Sequence, residues 1–176
     1  SIVPVPNNGA LIESLLDTLS PQGLILSGGN TLSNYGQGSK VRDKCERMLL
    51  EWAIANKKPT LGVCRGMQFI FDYFSVPLHK VEGYVRNYVT PHFVNNETAI
   101  LQPYQSKIDQ VQAFFNFAPK DAPDSFIITS HDDNNLILSA EHRELPIFCQ
   151  MWHPERTTPP NKNDIRMIQS IFTELS

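Results

Sequence analysis

The chain contains one stretch that decides its fold, residues 60–74, which reads TLGVCRGMQFIFDYF. Its first four residues form the short apolar run of a buried strand, and the apolar residues from Met67 onward are typical of a buried helix. Gly62 and Gly66 stand two positions before and two positions after Cys64. A strand that turns directly into a helix between small residues predicts a tight turn with Cys64 at its tip.

The rest of the chain continues the alternation of short apolar strands and amphipathic helices. Strands are predicted at residues 23–26, 125–129, 136–140 and 147–151. Helices are predicted at residues 11–19, 41–56 and 164–175. Residues 77–125 are less regular, with strand-like pieces around residues 78–81, 85–89 and 112–117, and predict an antiparallel excursion or edge. Strands that alternate with helices in this way predict an α/β fold with a mainly parallel sheet.

The composition favours a single globular domain, residues 1–176, and argues against several functional classes. Hydrophobic residues make up 41% of the 176 residues, and the formal net charge is −3. Binding to nucleic acid through its phosphates needs a basic face, so we expect no nucleic-acid partner. No apolar run approaches about 18 residues, so we expect no membrane segment. Three widely spaced cysteines without a C-x-x-C pair indicate neither a disulfide framework nor a zinc site, so we expect reduced thiols in a cytoplasmic protein.

Cys64 is the strongest candidate for a reactive residue. At a helix N-terminus, the helix dipole and the free N–H groups favour the thiolate over the thiol. The same turn directs the backbone N–H of Arg65 toward the place where an oxyanion would form during attack on a carbonyl group. The alternative is a buried structural cysteine beside two turn glycines, because a single short motif also occurs by chance.

A cysteine nucleophile needs a base, and His153 stands out among the five histidines. It follows a predicted strand that Pro154 ends, and Glu155 stands two residues later, on the same side of an extended segment. A carboxylate there can orient the imidazole, as the third member of a catalytic triad does. The alternative is a chance polar pair at a strand end. The loop of Ser130 and His131, which follows another predicted strand, is a second candidate for contact with substrate.

A glycine loop, Ser27-Gly28-Gly29-Asn30, follows the predicted strand at residues 23–26. Two consecutive glycines let backbone N–H groups approach a ligand closely, so the loop can supply a second oxyanion donor. A phosphate-binding loop is weakly supported, because the chain lacks both G-x-x-x-x-G-K-[ST] and G-x-G-x-x-G. A plain turn is the remaining alternative.

Together these segments resemble the class I glutamine amidotransferase-like superfamily. The matching pieces are residues 26–30 (LSGGN), residues 62–68 (GVCRGMQ) and residues 152–156 (WHPER). They look most like the stand-alone γ-glutamyl hydrolases, which include γ-glutamyl-γ-aminobutyrate hydrolases and a capsule-pathway hydrolase of γ-glutamyl-CDP-amidate. The resemblance implies a three-layer, flavodoxin-like, doubly wound sheet with helices on both faces. Members usually begin with a further strand and helix, so we expect that this numbering lacks them.

The resemblance also implies the roles of individual residues. Cys64, His153 and Glu155 would form a catalytic triad. The oxyanion donors would be the backbone N–H groups of Gly29 and Arg65, and Gln68 would contact the glutamyl head group. The full set of oxyanion and substrate-binding residues would be Gly28, Gly29, Asn30, Arg65, Gln68, Ser130 and His131.

The expected reaction is hydrolysis of a small-molecule γ-glutamyl amide through a γ-glutamyl thioester, with no metal and no cofactor. Glutamate and an amine or amidate would be released, and γ-glutamyl-CDP-amidate is one candidate substrate. Two alternatives remain open. One is a glutaminase subunit that supplies ammonia to a separate synthase, and the other is a catalytically silent binding protein on the same fold. The leaving group and the oligomeric state stay open as well.

Overall fold

The computed structural model of the protein describes residues 1–36, 38–94, 99–105 and 107–173. The strands are β1 (Leu24–Leu26), β2 (Thr60–Val63), β3 (Leu78–Lys80), β4 (Val85–Val89), β5 (His92–Phe93), β6 (Val111–Phe114), β7 (Phe117–Pro119), β8 (Phe126–His131), β9 (Ile137–His142) and β10 (Ile147–Gln150). The helices are α1 (Gly9–Leu19), α2 (Lys40–Ala55), α3 (Arg65–Tyr73), α4 (Gln102–Gln105) and α5 (Lys162–Thr173). The predicted strands and helices are present, and the last two predicted residues of the closing helix, 174 and 175, lie outside the described residues.

Six strands form the central sheet, in the order β1-β2-β10-β9-β8-β5. The pairs β1–β2 and β2–β10 are parallel, whereas β10–β9, β9–β8 and β8–β5 are antiparallel. Parallel neighbours need a crossover of about a dozen residues or more, but only residues 132–136 separate β8 from β9 and only residues 143–146 separate β9 from β10. The predicted α/β fold is confirmed, and the mainly parallel sheet is corrected to a mixed one.

The less regular region, residues 77–125, contains two small antiparallel pairs. β3 pairs with β7, and β4 pairs with β6. Each pair joins the beginning of the region to its end, so the predicted antiparallel excursion is confirmed. β6 also contacts the 3-10 turn Pro154–Arg156 that follows β10, which places the excursion at the C-terminal end of that strand.

The two glycines around Cys64 allow α3 to pack closely on the sheet. A Cβ at Gly62 would lie 2.6 Å from Cδ1 of Ile70, and a Cβ at Gly66 would collide with the carbonyl oxygen of Leu26. The predicted need for small residues on both sides of Cys64 is therefore confirmed. Every residue of β2 and β10 is buried, as expected for strands that are covered on both faces.

Candidate active site

Three of the sequence motifs meet at one edge of the central sheet. β1, β2 and β10 are neighbouring parallel strands, so their C-terminal ends lie side by side, about 5 Å apart. β1 leads into the glycine loop, residues 27–30, β2 leads into Cys64, and β10 leads into the segment that ends at His153. The backbone N–H of Cys64 donates a hydrogen bond of 2.7 Å to the carbonyl oxygen of Gln150, which ties the turn to β10.

Cys64 occupies a strained turn between β2 and α3. Its backbone has φ 50° and ψ −103°, and positive φ is rare for residues other than glycine. Such a conformation costs about 1–3 kcal/mol and persists only where the surrounding structure holds it. Cys64 is 2% exposed, and its Sγ lies 3.8 Å from the carbonyl oxygen of Phe114. The predicted tight turn is confirmed, with the thiol buried beneath β6.

Burial raises the pKa of the Cys64 thiol from 9.0 to about 11. A hydrogen bond from the backbone N–H of Arg65 and the positive charge of Arg156 lower this pKa, but they do not outweigh the loss of solvent. With a pKa of about 11, the thiol is the major form at neutral pH: the backbone N–H at the start of α3 favours the thiolate, as predicted, but burial outweighs it.

His153 is held in one orientation by Glu155. Nδ1 of the imidazole lies 2.7 Å from Oε1 of Glu155. The histidine is 2% exposed, whereas the glutamate side chain is 60% exposed. Nε2 of His153 is buried and, within the described part of the chain, has no hydrogen-bond partner. The expected hydrogen bond is present, although the pair lies at the start of a 3-10 turn rather than on an extended segment.

The glycine loop packs against His153 and is anchored to α2. A Cβ at Gly28 would lie 2.5 Å from Cε1 of His153, so a side chain there would displace the ring. Gly29 has φ +154°, a conformation that side chains disfavour. The guanidinium of Arg42 donates hydrogen bonds to the carbonyl oxygens of Ser27 (2.8 Å) and Gly28 (3.2 Å). The loop is therefore fixed from both sides.

A segment that the sequence motifs do not include covers the site. The carbonyl oxygen of Phe114 faces Cys64, and Nε2 of the buried Gln68 donates a hydrogen bond of 2.7 Å to the carbonyl oxygen of Phe117. Arg156 stacks over the ring of Phe114, with its Cζ 4.5 Å from the ring centroid. Because the two hydrogen-bonding groups are backbone carbonyls, no side-chain pattern marks them. The only sequence signal is the apolar run that predicts a strand there.

The side chain of Arg65 enters a buried ion-pair cluster. Its guanidinium pairs with Asp43 and Glu46, both on α2, and the Arg65 side chain is 2% exposed. A cation committed to two carboxylates is not available to bind an anionic group of a substrate. The side chain of Arg65 therefore joins α3 to α2, and only its backbone N–H remains available to the candidate site.

Three other predicted site residues have no contact with Cys64 or His153 among the contacts described above. Ser130 is buried, and its Oγ lies 2.6 Å from Oγ of Ser139 on the neighbouring strand. Nδ1 of His131 lies 3.0 Å from the carbonyl oxygen of Asp132. Both residues end β8, which is two strands, or about 10 Å, from β10. Asn30 is exposed at the end of the glycine loop.

In residues 1–36, 38–94, 99–105 and 107–173, no helix is long and apolar enough to cross a membrane. In the same ranges, no group of three or more His, Cys, Asp or Glu side chains could hold a metal ion.

These contacts define an α/β protein with a buried cysteine on a strand–helix turn and a histidine–glutamate pair beyond the adjacent parallel strand. The family model for glutamine amidotransferase class-I matches residues 1–174. The chain therefore belongs to the class-I glutamine amidotransferase family, as the sequence motifs predicted.

Two proteins related to this chain are named for different reactions. A γ-glutamyl-CDP-amidate hydrolase of Campylobacter jejuni is 31% identical over 152 residues, which cover 85% of this chain and 69% of that protein. A subunit of the glutamine-hydrolysing GMP synthase of Pyrococcus abyssi is 26% identical over 167 residues, which cover 92% of this chain and 79% of that protein. Among solved structures, the CTPS glutaminase domain of Trypanosoma brucei with bound acivicin has a TM-score of 0.74 at 14% identity, over 97% of this chain and 80% of that one. That likeness shows a shared fold.

Proposed function

We propose that the protein hydrolyses a γ-glutamyl amide bond, with Cys64 as nucleophile, His153 as base and Glu155 as the residue that orients the histidine. The observation that carries this proposal is the state of His153. Its ring is buried, Nδ1 is bonded to Glu155, and Nε2 is buried without a partner in the described residues. A buried nitrogen without a hydrogen bond lowers the stability of the folded state, and a catalytic role explains why Nε2 is left unpaired. It belongs to the strand end beside Cys64, as a thiol–imidazole pair requires.

The proposed reaction begins with a proton transfer, because burial keeps the Cys64 thiol protonated. Nε2 of His153 takes this proton as the sulfur attacks the γ-carbonyl carbon. The carbonyl oxygen becomes an oxyanion that the N–H groups of Gly29 and Arg65 stabilise. His153 then gives its proton to the leaving nitrogen, the C–N bond breaks, and a γ-glutamyl thioester remains. Water activated by His153 cleaves the thioester and releases glutamate.

The preferred substrate that we propose is a γ-glutamyl amide with a large leaving group, γ-glutamyl-CDP-amidate being the first candidate. The relative in Campylobacter jejuni, at 31% identity, supports this choice. A glutaminase subunit is the second candidate, because several relatives are subunits of glutamine-hydrolysing GMP synthases. In that case glutamine would be the substrate and a separate synthase would take the ammonia. Gln68, in the first turn of the helix that follows Cys64, would contact the glutamyl group in both reactions.

The experiment that tests the proposal measures glutamate release by the isolated protein. The panel contains glutamine, γ-glutamyl amines, γ-glutamyl peptides and γ-glutamyl phosphoramidates, without ATP. We expect release from a conjugate and poor release from glutamine, because binding energy from the remote part of a substrate raises kcat. A protein that is inert on the whole panel, yet hydrolyses glutamine after a partner synthase is added, would establish the glutaminase subunit instead.

A further inference from the structure

An ion-pair cluster on α2 lies behind both halves of the candidate oxyanion site. Oε1 of Glu46 accepts a hydrogen bond of 2.8 Å from Nε of Arg42, and Oε2 of Glu46 pairs with Nη1 of Arg65. The other terminal nitrogen of Arg65, Nη2, pairs with Asp43. Arg65 is 1% exposed and Glu46 is 6% exposed, so solvent screens the attraction between them only weakly.

Arg42 connects this cluster to the glycine loop. Its Nη2 donates to the carbonyl oxygens of Ser27, at 2.8 Å, and Gly28, at 3.2 Å. In a planar trans peptide the C=O and N–H groups point in opposite directions. The bond to the Gly28 carbonyl oxygen therefore directs the N–H of Gly29 away from Arg42. Gly29 has no side chain to restrict its dihedral angles, so this peptide plane depends on an external donor.

The other half of the site depends on the same carboxylate. Arg65 follows Cys64 directly, and its backbone N–H lowers the pKa of the thiol. Its guanidinium, paired with Glu46 and Asp43, ties the beginning of α3 to α2. Asp43 also accepts a hydrogen bond of 2.9 Å from the backbone N–H of Ser33, just beyond the glycine loop. Glu46 is thus shared by the two arginines that hold the loop and the turn.

We propose that Arg42 is a positioning residue that orients the Gly28–Gly29 peptide for oxyanion stabilisation, and that Glu46 couples this peptide to Arg65. The proposal rests on the proposed function in one respect, namely that the Gly29 N–H faces an acyl oxygen during a reaction at Cys64. Arg42 touches no reacting atom and acts only through the peptide. Without Arg42, acyl transfer slows, whereas a reaction that forms no oxyanion does not.

The test compares two reagents at Cys64 in the wild type, Arg42→Met and Arg47→Met. With p-nitrophenyl acetate, the sulfur–carbon bond forms through a tetrahedral oxyanion, the ester C–O bond breaks, and p-nitrophenolate leaves. With iodoacetamide, the sulfur displaces iodide from a tetrahedral carbon, and no oxyanion forms. Peptide mass assigns both adducts to Cys64. Arg47 is the matched control, because it is exposed on the same helix and stacks on Tyr73 with its Cζ 5.1 Å from the ring centroid.

We expect Arg42→Met to slow acylation of Cys64 about tenfold to a hundredfold while changing alkylation by less than about threefold. Arg47→Met should change neither rate. Arg42→Lys, which keeps the charge, should recover only part of the acylation rate, because one ammonium group cannot replace the fork of donors that reaches Glu46 and both carbonyl oxygens. It also serves as the second variant if Arg42→Met does not fold.

Each outcome decides the question. A fall of both rates by one factor would assign Arg42 a merely structural role, and an unchanged acylation rate in Arg42→Met and Arg42→Lys would overturn the proposal. A wild type in which iodoacetamide labels Cys64 but p-nitrophenyl acetate never acylates it would overturn it as well, because a reachable thiol would then lack an oxyanion site. Neither reagent contains a γ-glutamyl group. A selective loss of acylation together with an inert γ-glutamyl panel would therefore sink the proposed substrate and leave the positioning role intact.

Discussion

Cys64 and Cys149 belong to neighbouring strands, one just beyond the end of β2 and the other inside β10. They are 2% and 1% exposed, and burial raises the pKa of both thiols. At Cys64 the N–H of Arg65 and the charge of Arg156 oppose this rise, whereas at Cys149 the charge of Glu141 adds to it. Position relative to the strand end, rather than burial, therefore separates the two cysteines.

The backbone explains the difference. Cys149 pairs with Gly62 on one side and with Ala140 on the other, so its strand has a neighbour on each side. Cys64 has left the sheet, and the residues after it begin α3, whose first N–H groups have no partner within the helix. Of the two cysteines, therefore, only Cys64 lies beside N–H groups that can donate to a developing oxyanion.

Removing each thiol in turn tests most directly whether Cys64 and Cys149 have different roles. Cys64→Ala should lower turnover of the preferred γ-glutamyl substrate by at least about 10⁴-fold, because triad members act as a unit. Cys149→Ala should leave turnover within about threefold of the wild type and lower the free energy of unfolding by about 1–2 kcal/mol, because it opens a small cavity in the core. Glutamate release and urea unfolding measure the two effects. Retained turnover in Cys64→Ala would refute its role as nucleophile.

Removal of the base should have a comparably large effect. His153→Asn takes away the imidazole that Glu155 orients, and we expect a loss of turnover close to that of Cys64→Ala. His131→Asn is the comparison variant, because its ring contacts Asp132 and His92 at the end of β8. Glutamate release should fall less than in His153→Asn, because His131 is a candidate for contact with substrate and not for proton transfer. The reverse ranking would mean that His131 is the base.

The pH dependence of alkylation sharpens the comparison without any substrate. A pKa of about 11 leaves the Cys64 thiolate as the minor form at neutral pH. The rate of iodoacetamide labelling at Cys64 should therefore rise about tenfold per pH unit between about pH 7 and pH 10, because only the thiolate reacts. Labelling at Cys149 should stay slower throughout. A plateau for Cys64 near neutral pH, resolved by peptide mass, would show a thiolate and contradict the effect of burial.

Much of this site could be predicted because its signals are local. The spacing of Gly62, Cys64 and Gly66 follows from the close approach of α3 to β1, which a Cβ would obstruct. The pairing of His153 with Glu155 needs only two residues of chain. Residues close together in the chain determine short-range geometry of this kind. The structure confirms both the close packing at the glycines and the bond between His153 and Glu155.

The parts that could not be predicted depend on distant contacts. The raised pKa of Cys64 comes from burial beneath Phe114, which lies 50 positions away in the chain. β8 ends at the same edge of the sheet as β10, but β9 lies between them, so the end of β8 is about 10 Å from the end of β10 and a contact of Ser130 with substrate stays a prediction. The antiparallel arrangement of β8, β9 and β10, in contrast, follows from the short connections between them, so the connection lengths could have predicted it.

Among the three triad residues, Glu155 should show the smallest loss of turnover when it is replaced. Glu155→Gln should lower turnover only about tenfold to a hundredfold, because an exposed carboxylate is partly screened and a glutamine can still hydrogen-bond to Nδ1 of His153. Alkylation of Cys64 should not fall. The negative charge of Glu155 raises the pKa of that thiol, so its removal lowers the pKa and slightly increases the thiolate fraction.

Opposite changes in the two rates would separate orientation of the histidine from activation of the sulfur. The measurement pairs glutamate release with iodoacetamide labelling in the same preparation, and Glu13→Gln, an exposed carboxylate on α1, controls for the loss of one charge. If Glu155→Gln slows both reactions equally, then Glu155 supports the thiol rather than the imidazole. In that case the reactivity of Cys64 would depend on the carboxylate of Glu155. Cys149 differs, because its neighbour Glu141 only raises the pKa of the thiol.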